Sequence, residues 1–222
     1  DIKASWSADY NDAAIVMLTR QGSEDCDLML EDTKGMSYLA LHQEERDLLT
    51  MVKEQKEAGV FKRVIVLVNS SWAIELGELA DFGVDAALWI GAPGATGFKG
   101  IVRLLTGEVN PSGHLVDTFA KNSLSAPAIT YAQSKNVQTW ANLQEVLDGC
   151  DDTDKYVSYY LVYAEGIYVG YKYYETRYED CILGQGKATD AVGSSTGSAW
   201  SYNDEIAYPF GYGLSYTTFE QK

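Results

Sequence analysis

Three short and continuously apolar runs in the first half of the chain constrain its fold more than any other feature. They are Ala14–Leu18 (AIVML), Val64–Val68 (VIVLV) and Ala86–Ile90 (AALWI). A strand with one solvated face alternates apolar and polar residues, so a continuous apolar run indicates a strand that is covered on both faces. The sequence therefore predicts an α/β fold: a three-layer α/β/α sandwich around a mostly parallel sheet of about six strands.

The segments around these runs predict the covering helices and one further strand. His42–Lys56 places apolar residues at helical spacing among charges. Helices are also expected over Trp72–Ala80 and Gly97–Leu105, which follow the second and third runs. Pro and Gly in Asn110–Gly113 (NPSG) indicate a turn, which leads to a further strand around Leu115–Phe119.

The C-terminal part of the chain has a different character. Tyr156–Tyr178 holds nine tyrosines, and Gly184–Ser201 is rich in Gly, Ser and Thr without any apolar period, which predicts a long loop. We expect residues 1–222 to form a single domain. Within it, residues 123–222 are expected to be an irregular Tyr/Gly-rich extension that wraps the edge of the sheet and supplies loops near the strand ends.

The charge of the chain disfavours some partners but selects none. A formal net charge of −15, from 32 acidic and 17 basic residues, disfavours nucleic acid and anionic membrane surfaces, because both require clusters of Lys and Arg. A neutral and hydroxyl-rich ligand such as an oligosaccharide is compatible with this charge. A solvated acidic surface that binds nothing is equally compatible.

The three cysteines bear on the compartment. Cys26, Cys150 and Cys181 cannot all pair within the chain, which argues against a disulfide framework and favours a reducing, cytoplasmic location. A single bridge between Cys150 and Cys181 and a secreted protein both remain open. No apolar run in the sequence approaches the length of a membrane span.

The first candidate for chemistry is Thr19–Asp27 (TRQGSEDCD), which directly follows the first apolar run. Ligands of parallel sheets bind at the carboxyl ends of the strands, so a carboxylate here is a credible catalytic group. Glycoside cleavage usually needs two carboxyl groups, one to protonate the leaving oxygen and a second to attack or to activate water. Glu24 could be the first of these, but Glu24, Asp25 and Asp27 could equally form a solvated acidic loop.

Several short patterns imitate other functional sites. Gly91–Lys99 (GAPGATGFK) fails the spacing of a phosphate-binding loop, and Gly193–Gly197 (GSSTG) satisfies Gly-x-Ser-x-Gly but follows no apolar strand. His42 and His114 are the two histidines, and neither stands at ligand spacing from a Cys or a carboxylate pair. We therefore expect no metal site and no cofactor.

Three longer segments carry a family resemblance. They are Trp89–Lys121, which contains GEVNPSGHL, then Glu165–Thr176 (EGIYVGYKYYET) and Tyr208–Phe219 (YPFGYGLSYTTF). Together they resemble the hallmark stretches of glycoside hydrolase family 3, the β-glucosidase and β-xylosidase family. A Tyr-rich sheet edge is the alternative for the two aromatic segments, since aromatic strands are common.

The resemblance extends to the acidic loop and implies roles for its residues. Family 3 enzymes carry their acid/base Glu in the α/β-sandwich domain, in a loop that reads Arg, one residue, Ser-Gly-Glu-Gly, one residue and Asp-Arg. Arg20, Glu24 and Asp27 fall on matching positions of that loop. The departures are the exchanged order of Gly22–Ser23, an Asp at position 25 in place of Gly, and a Leu at position 28 in place of Arg.

The resemblance implies that Glu24 is the general acid/base of a retaining enzyme. Arg20 and Asp27 would then bind substrate, and Tyr168 and Tyr212 would line an outer sugar subsite. A single tyrosine in such a segment could instead merely pack the edge of the domain.

The family's nucleophilic Asp lies on a separate (β/α)8 barrel, and this chain has no matching segment and is too short to contain a barrel. The chain is thus expected to be the C-terminal domain of a β-glucosidase that hydrolyses terminal β-linked sugars, glucose above all. Its partner would be a barrel domain of the same polypeptide, without which the fragment should be inactive. The alternatives are a non-catalytic scaffold or carbohydrate-binding module and, from the layered sheet alone, a flavodoxin-like domain with an unrelated small ligand.

Overall fold

The computed structural model describes residues 6, 10–20, 31–131, 140–149, 162–218 and 220 of the 222-residue chain. The described strands, in chain order, are β1 Ala14–Thr19, β2 Val64–Asn69, β3 Ala86–Trp89, β4 Phe119–Ala120 and β5 Ile206–Tyr208. The described helices are α1 Gln43–Glu57, α2 Gly94–Leu105, α3 Pro127–Tyr131, α4 Leu143–Asp148, α5 Tyr171–Leu183 and α6 Tyr202–Glu205. Two short 3₁₀ turns, Leu79–Phe82 and Ser123–Ser125, complete the regular structure of these residues.

The chain divides into two compact units. The first comprises Asp1–Gly22, Leu39–Lys121 and Ile206–Lys222, and the second comprises Ser23–Tyr38 and Asn122–Glu205. The parallel sheet belongs to the first unit, and the aromatic helix α5 belongs to the second. The expectation of a single domain with a wrapping extension stays a prediction.

The three apolar runs form the parallel sheet of the first unit, in the order β1-β2-β3, which confirms an α/β fold. Ala14 lies opposite Val64, and Ile65 lies opposite Ala86. Strand β2 is the central strand of the three, and it is apolar and largely buried along its length. Helix α1 packs against β1 and β2, and its Leu49 is fully buried.

Strand β1 departs from the expected burial on both faces. Its Val16 and Leu18 are buried, whereas Ile15 and Met17 on the opposite face are 54% and 42% exposed. The described residues thus contribute three strands to the parallel sheet. The expected count of about six strands stays a prediction.

Helices α1 and α2 are confirmed, but the helix predicted over Trp72–Ala80 is wrong apart from the 3₁₀ turn that starts at Leu79. The Ser70 hydroxyl accepts the Trp72 N–H at 3.0 Å and donates to the Trp72 carbonyl at 2.9 Å. The Glu75 N–H donates to the Leu39 carbonyl at 2.9 Å. These bonds satisfy backbone groups of the segment without a helix. The side-chain hydroxyl and the distant segment occupy N–H and carbonyl groups that a helix would use for its own bonds.

The strand expected around Leu115–Phe119 is shorter and lies later in the chain. It is Phe119–Ala120 (β4), which pairs with β5 in an antiparallel ladder. Leu115 instead forms two backbone hydrogen bonds with the C-terminal segment: its N–H donates to the Tyr212 carbonyl and its carbonyl accepts the Gly211 N–H, both at 2.8 Å.

The turn predicted at Asn110–Gly113 is joined to the C-terminal segment by side chains. Asn110 Nδ2 donates to Ser215 Oγ at 2.9 Å, and Asn110 Oδ1 accepts the Tyr216 N–H at 2.8 Å. A Cβ on Gly213 would come within 2.6 Å of the Gly113 carbonyl oxygen, so the two segments touch through their backbones. We call this contact of residues 110–115 with residues 211–217 the clasp.

In the second unit, the Tyr-rich segment forms a helix, so a Tyr-rich sheet edge is wrong for Glu165–Thr176. Gly170, with φ 57° and ψ −131°, precedes the first turn of α5. Tyr174 on α5 is buried, and its hydroxyl is 2.7 Å from the Ser125 hydroxyl. Cys181, also on α5, carries a free thiol.

The loop predicted at Gly184–Ser201 is confirmed, since it contains turns and no helix or strand. Arg177 of α5 holds it in place. Its guanidinium donates to the Ala188 and Asp190 carbonyls at 2.9 Å each and lies 4.8 Å from the centre of the Trp200 ring. Among the described residues, no helix is both long and apolar enough to cross a membrane.

Candidate functional site

The first candidate site lies at the carboxyl end of β1, where Arg20 follows the last strand residue. Glu24 and Asp27 lie outside the described residues, so their roles stay predictions. Arg20 is buried, with 7% of its surface exposed. Its backbone N–H donates to the Asn69 carbonyl at 3.1 Å and so continues the ladder between β1 and β2.

The Arg20 guanidinium is engaged within the first unit. Nη1 and Nη2 donate to the two carboxylate oxygens of Glu45 at 2.6 and 2.8 Å, in the parallel two-bond geometry that suits arginine and carboxylate. Nη2 also donates to the Ala40 carbonyl at 2.5 Å, and Nη1 donates to the Thr19 carbonyl at 2.8 Å. Four guanidinium N–H bonds therefore go to protein acceptors. The prediction that Arg20 binds substrate is untested by this geometry.

Glu45 is a functional candidate that sequence reasoning missed. It lies in the first turn of α1, and its Oε2 accepts the His42 N–H at 2.8 Å in addition to the Arg20 bond. A Glu at the third position of a helix commonly reaches back in this way, and its negative charge is favourable near a helix N-terminus. That helix signal was present in the sequence, but nothing in it pointed to Arg20.

The second candidate site is a cleft of about 430 Å³ in the second unit, formed by α5, the turn before it and the loop after it. Tyr168 and Tyr173 contribute aromatic rings to its wall. The wall also contains two acidic and two basic side chains: Glu165, Asp180, Arg177 and Lys187. The volume of the cleft falls in the range of small-molecule sites. Its aromatic rings can pack against the apolar face of a sugar, and its charged side chains can form hydrogen bonds with sugar hydroxyls.

Hydrogen bonds fix part of this cleft. Arg177 Nη1 donates to the Tyr173 hydroxyl at 2.6 Å, which holds that ring against the helix. Tyr168 is 46% exposed. Glu165 Oε2 is shielded from solvent and has no hydrogen-bond partner among the described residues. An unpaired buried carboxylate oxygen is costly, so Glu165 is a candidate to accept a hydrogen bond from a ligand that enters the cleft.

Tyr212 belongs to the first unit and is 38% exposed. Its ring centre lies 5.3 Å from that of Tyr208, and its backbone carbonyl takes part in the clasp. Burial, and secondarily the charge of the neighbouring Tyr212, raise the pKa of the Tyr208 phenol. The ring of Tyr212 thus has a packing role, and its predicted contact with sugar is untested.

The patterns set aside in the sequence have other roles. In Gly193–Gly197, the Ser194 hydroxyl and the Ser195 N–H each donate to Glu205 Oε1 at 2.9 Å, so this stretch is a loop held by a buried carboxylate. In Gly91–Lys99, Pro93 occupies the position directly before the first turn of α2, so this stretch is the start of a helix. Over the described part of the chain, no group of three His, Cys, Asp or Glu residues could hold a metal ion.

Comparison with known proteins places these observations in a family. The model of the glycosyl hydrolase family 3 C-terminal domain matches residues 3–171. A β-glucosidase of Ruminococcus albus is 28% identical over 214 residues, which are 96% of this chain and 17% of that protein. β-Glucosidase A of Butyrivibrio fibrisolvens is 32% identical over 176 residues, which are 79% of this chain and 15% of that protein.

Solved structures agree with these relatives. β-Glucosidase 3B of Thermotoga neapolitana, solved in complex with α-D-glucose, has a TM-score of 0.64 and 29% identity, over 96% of this chain and 23% of that one. A β-glucosidase of Paenibacillus barengoltzii has a TM-score of 0.60 and 26% identity, over 95% of this chain and 17% of that one. The chain thus spans less than a quarter of the length of each of these four proteins.

Proposed function

The chain belongs to the family of glycosyl hydrolase family 3 C-terminal domains, and from that premise we propose that it supplies the general acid/base of a retaining β-glucosidase. Glu24 is the proposed residue. The observation that carries the proposal is the family match over residues 3–171, which includes the acidic residues that follow β1 in the sequence. The relatives that share this region are β-glucosidases.

The proposed chemistry uses two carboxyl groups from two domains. Glu24 donates its proton to the departing sugar oxygen while an aspartate of a barrel domain in the same polypeptide attacks the anomeric carbon. Glu24 then removes a proton from the water that releases the glycosyl-enzyme intermediate. The proposed substrates are terminal β-linked sugars, glucose above all, and the chain alone is expected to be inactive.

The remaining predicted residues complete the proposed site. Asp27 follows Glu24 in the same loop and is proposed as a contact to substrate hydroxyls. Tyr168 in the second unit and Tyr212 in the first unit are each proposed as a contact to an outer sugar, since each ring is partly exposed and presents an apolar face with a polar tip.

The test is Glu24→Gln in the full-length protein. Glycosides with poor leaving groups should lose far more activity than aryl glycosides with activated ones, because only the former need a proton at the departing oxygen. Azide should restore turnover, since it attacks the intermediate without a general base. Glu31→Gln, the same change at the next glutamate along the chain, is the matched control and should leave both substrates unaffected. A Glu24→Gln enzyme that treats both substrate classes like the parent would exclude Glu24 from the mechanism.

A non-catalytic carbohydrate-binding role is the second candidate, and the cleft beside Tyr168 favours it. That cleft is built entirely from residues of the second unit, so it needs no barrel domain to complete its wall. Calorimetry of the chain with cello-oligosaccharides separates the two functions. A binding module should release heat that Tyr168→Ala abolishes, whereas half of an active site should bind nothing by itself.

A further inference from the structure

Three charged side chains in the cleft of the second unit are available to a ligand. Glu165 Oε2 is shielded from solvent without a hydrogen-bond partner among the described residues. Asp180 and Lys187 line the same cleft, and in the part of the chain that the structure describes their side chains form no hydrogen bond and no ion pair. The wall thus presents free acceptors in Glu165 and Asp180 beside a free donor in Lys187.

Arg177 gives the cleft a fixed frame. Its Nη1 donates to the Tyr173 hydroxyl at 2.6 Å, and its Nε and Nη2 donate to the Ala188 and Asp190 carbonyls at 2.9 Å each. A Cβ on Gly193 would come within 3.0 Å of Arg177 Nη1 and 3.2 Å of the Tyr173 hydroxyl, so the loop after α5 packs closely on this pair. The guanidinium is therefore committed to the protein, and the wall that it holds is formed before a ligand enters.

A tight turn connects Glu165 to an exposed aromatic ring of the cleft. The Tyr168 N–H donates to the Glu165 carbonyl at 3.0 Å, and Gly166 within this turn has a φ of 58°. The turn fixes the backbone between two residues that both line the cleft. Tyr168 is 46% exposed and so keeps an aromatic surface for a ligand. One short turn therefore supplies both an aromatic face and a hydrogen-bond acceptor.

The free groups of the wall select the class of ligand. An ammonium ligand can only donate hydrogen bonds and a carboxylate ligand can only accept them, so either would leave part of the wall unpaired, whereas a sugar hydroxyl does both. The acidic Glu165 and Asp180 are balanced by the basic Arg177 and Lys187, which favours an uncharged ligand. The volume of about 430 Å³ lies in the lower part of the range of small-molecule sites, about 300–1,000 Å³, and so suits a mono- or disaccharide.

We propose that Glu165 determines the specificity of this cleft: its carboxylate accepts hydrogen bonds from the hydroxyls of a mono- or disaccharide that packs on the Tyr168 ring. Lys187 donates to an oxygen of the same sugar. This inference rests on the carbohydrate-binding function of the cleft and does not depend on Glu24, because every residue involved belongs to the second unit.

The same carboxylate should cost stability in the free protein. A shielded carboxylate oxygen without a partner is unfavourable until a ligand supplies a donor. Glu165→Gln keeps the shape of the side chain and removes its charge. The thermal midpoint of the free protein should therefore stay at or above the parent value while the affinity for sugar falls. A residue that only holds the fold together would instead lower the midpoint when it is changed.

The experiment combines calorimetry and thermal unfolding of the whole 222-residue chain with glucose and cellobiose. The parent should bind at least one of the two sugars, and its thermal midpoint should rise with the sugar concentration. Glu165→Gln should raise the dissociation constant about tenfold, since a hydrogen bond to an ionised acceptor is roughly twice as strong as one to a neutral acceptor. Lys187→Met removes an exposed donor and should also weaken binding.

Glu179→Gln is the matched control, because Glu179 is an exposed residue of α5 outside the wall of the cleft. It should change neither the affinity nor the midpoint. If Tyr168→Ala abolishes binding while Glu165→Gln binds like the parent, the carbohydrate-binding function stands and the role of Glu165 is refuted. A lower midpoint of free Glu165→Gln would give Glu165 a structural role and overturn the proposal. Failure of the parent to bind either sugar, or binding of tetramethylammonium in their place, would overturn both.

Discussion

The clasp yields a prediction whose size can be worked from its contacts. Asn110 Nδ2 donates to Ser215 Oγ at 2.9 Å and to Thr217 Oγ1 at 3.3 Å. Asn110 Oδ1 accepts the Tyr216 N–H at 2.8 Å and lies 3.1 Å from Ser215 Oγ. Asn110→Ala removes all of these contacts. Since solvent-exposed hydrogen bonds contribute about 0.5 kcal/mol each at the lower end of the usual range, the free energy of unfolding should fall by about 2 kcal/mol.

Two measurements check this value. A loss of about 2 kcal/mol should lower the thermal midpoint of a domain of this size by about 4–8 °C. The urea midpoint should fall with an unchanged slope, because the surface exposed on unfolding stays the same. Asn110→Asp keeps the acceptor for Tyr216 but loses the Nδ2 donor, so its stability should lie between Asn110→Ala and the parent.

A double-mutant cycle isolates the contact itself. Asn110→Ala and Ser215→Ala remove opposite sides of one contact, so their combined cost should fall short of the sum by about 1 kcal/mol. Ser194, which donates to Glu205 and belongs to the other unit, is the control partner and should give an additive result with Asn110. Full additivity between Asn110 and Ser215, or an Asn110→Ala variant as stable as the parent, would refute the clasp as a stabilising contact.

Three further predictions concern other contacts of the chain. The hydrogen bond from Lys56 is the main cause that lowers the pKa of Asp85. This contact therefore stabilises the folded state above about pH 4, and the stabilisation is lost as the pH falls through the lowered pKa. Lys56→Met should lower the urea midpoint at neutral pH, and in acid its midpoint should approach that of the parent. Burial is the main cause that raises the pKa of Tyr202, and its hydrogen bond to Glu175 is the second. The neutral phenol therefore stabilises the fold up to about pH 10, and this contribution is lost at higher pH. An ultraviolet titration of Tyr202→Phe should lack one phenol that ionises late. Arg177→Lys removes the guanidinium that donates to the Ala188 and Asp190 carbonyls of the loop after α5. Amide hydrogen exchange in that loop should become faster, while exchange in the parallel sheet should stay unchanged.

The parallel sheet could be predicted because its strands are continuously apolar, a pattern that can be read from each segment alone. The pattern overstated the burial of β1, where Ile15 and Met17 are exposed. The error at Trp72–Ala80 has a different origin. Ser70 and Leu39 occupy the backbone groups that a helix would need, and a partner as remote as Leu39 cannot be read from the segment itself. Helix α5 was missed because tyrosine has only modest helix propensity, and packing of Tyr174 outweighs that propensity.

The candidate site could be predicted only in part, for the same reason. Glu24 is proposed from a family pattern within one short segment, where every residue is a close neighbour in sequence. The pairing of Arg20 with Glu45 joins residues that are 25 positions apart and belong to different elements. Sequence shows which residues can donate or accept hydrogen bonds, but the fold decides which of them meet.

The family's hallmark segments identify the chain mainly through what they do for its folding. Asn110 and Gly213 lie in two such segments, and both are explained by the clasp: one supplies the side chain that bridges, and the other lacks the Cβ that would collide with the Gly113 carbonyl. A glycine at such an approach is required by sterics, whatever the function of the full-length protein. These segments can therefore persist in a scaffold that has lost its activity. A test of the proposed activity must therefore change Glu24 itself, whereas Asn110→Ala tests only the stability of the fold.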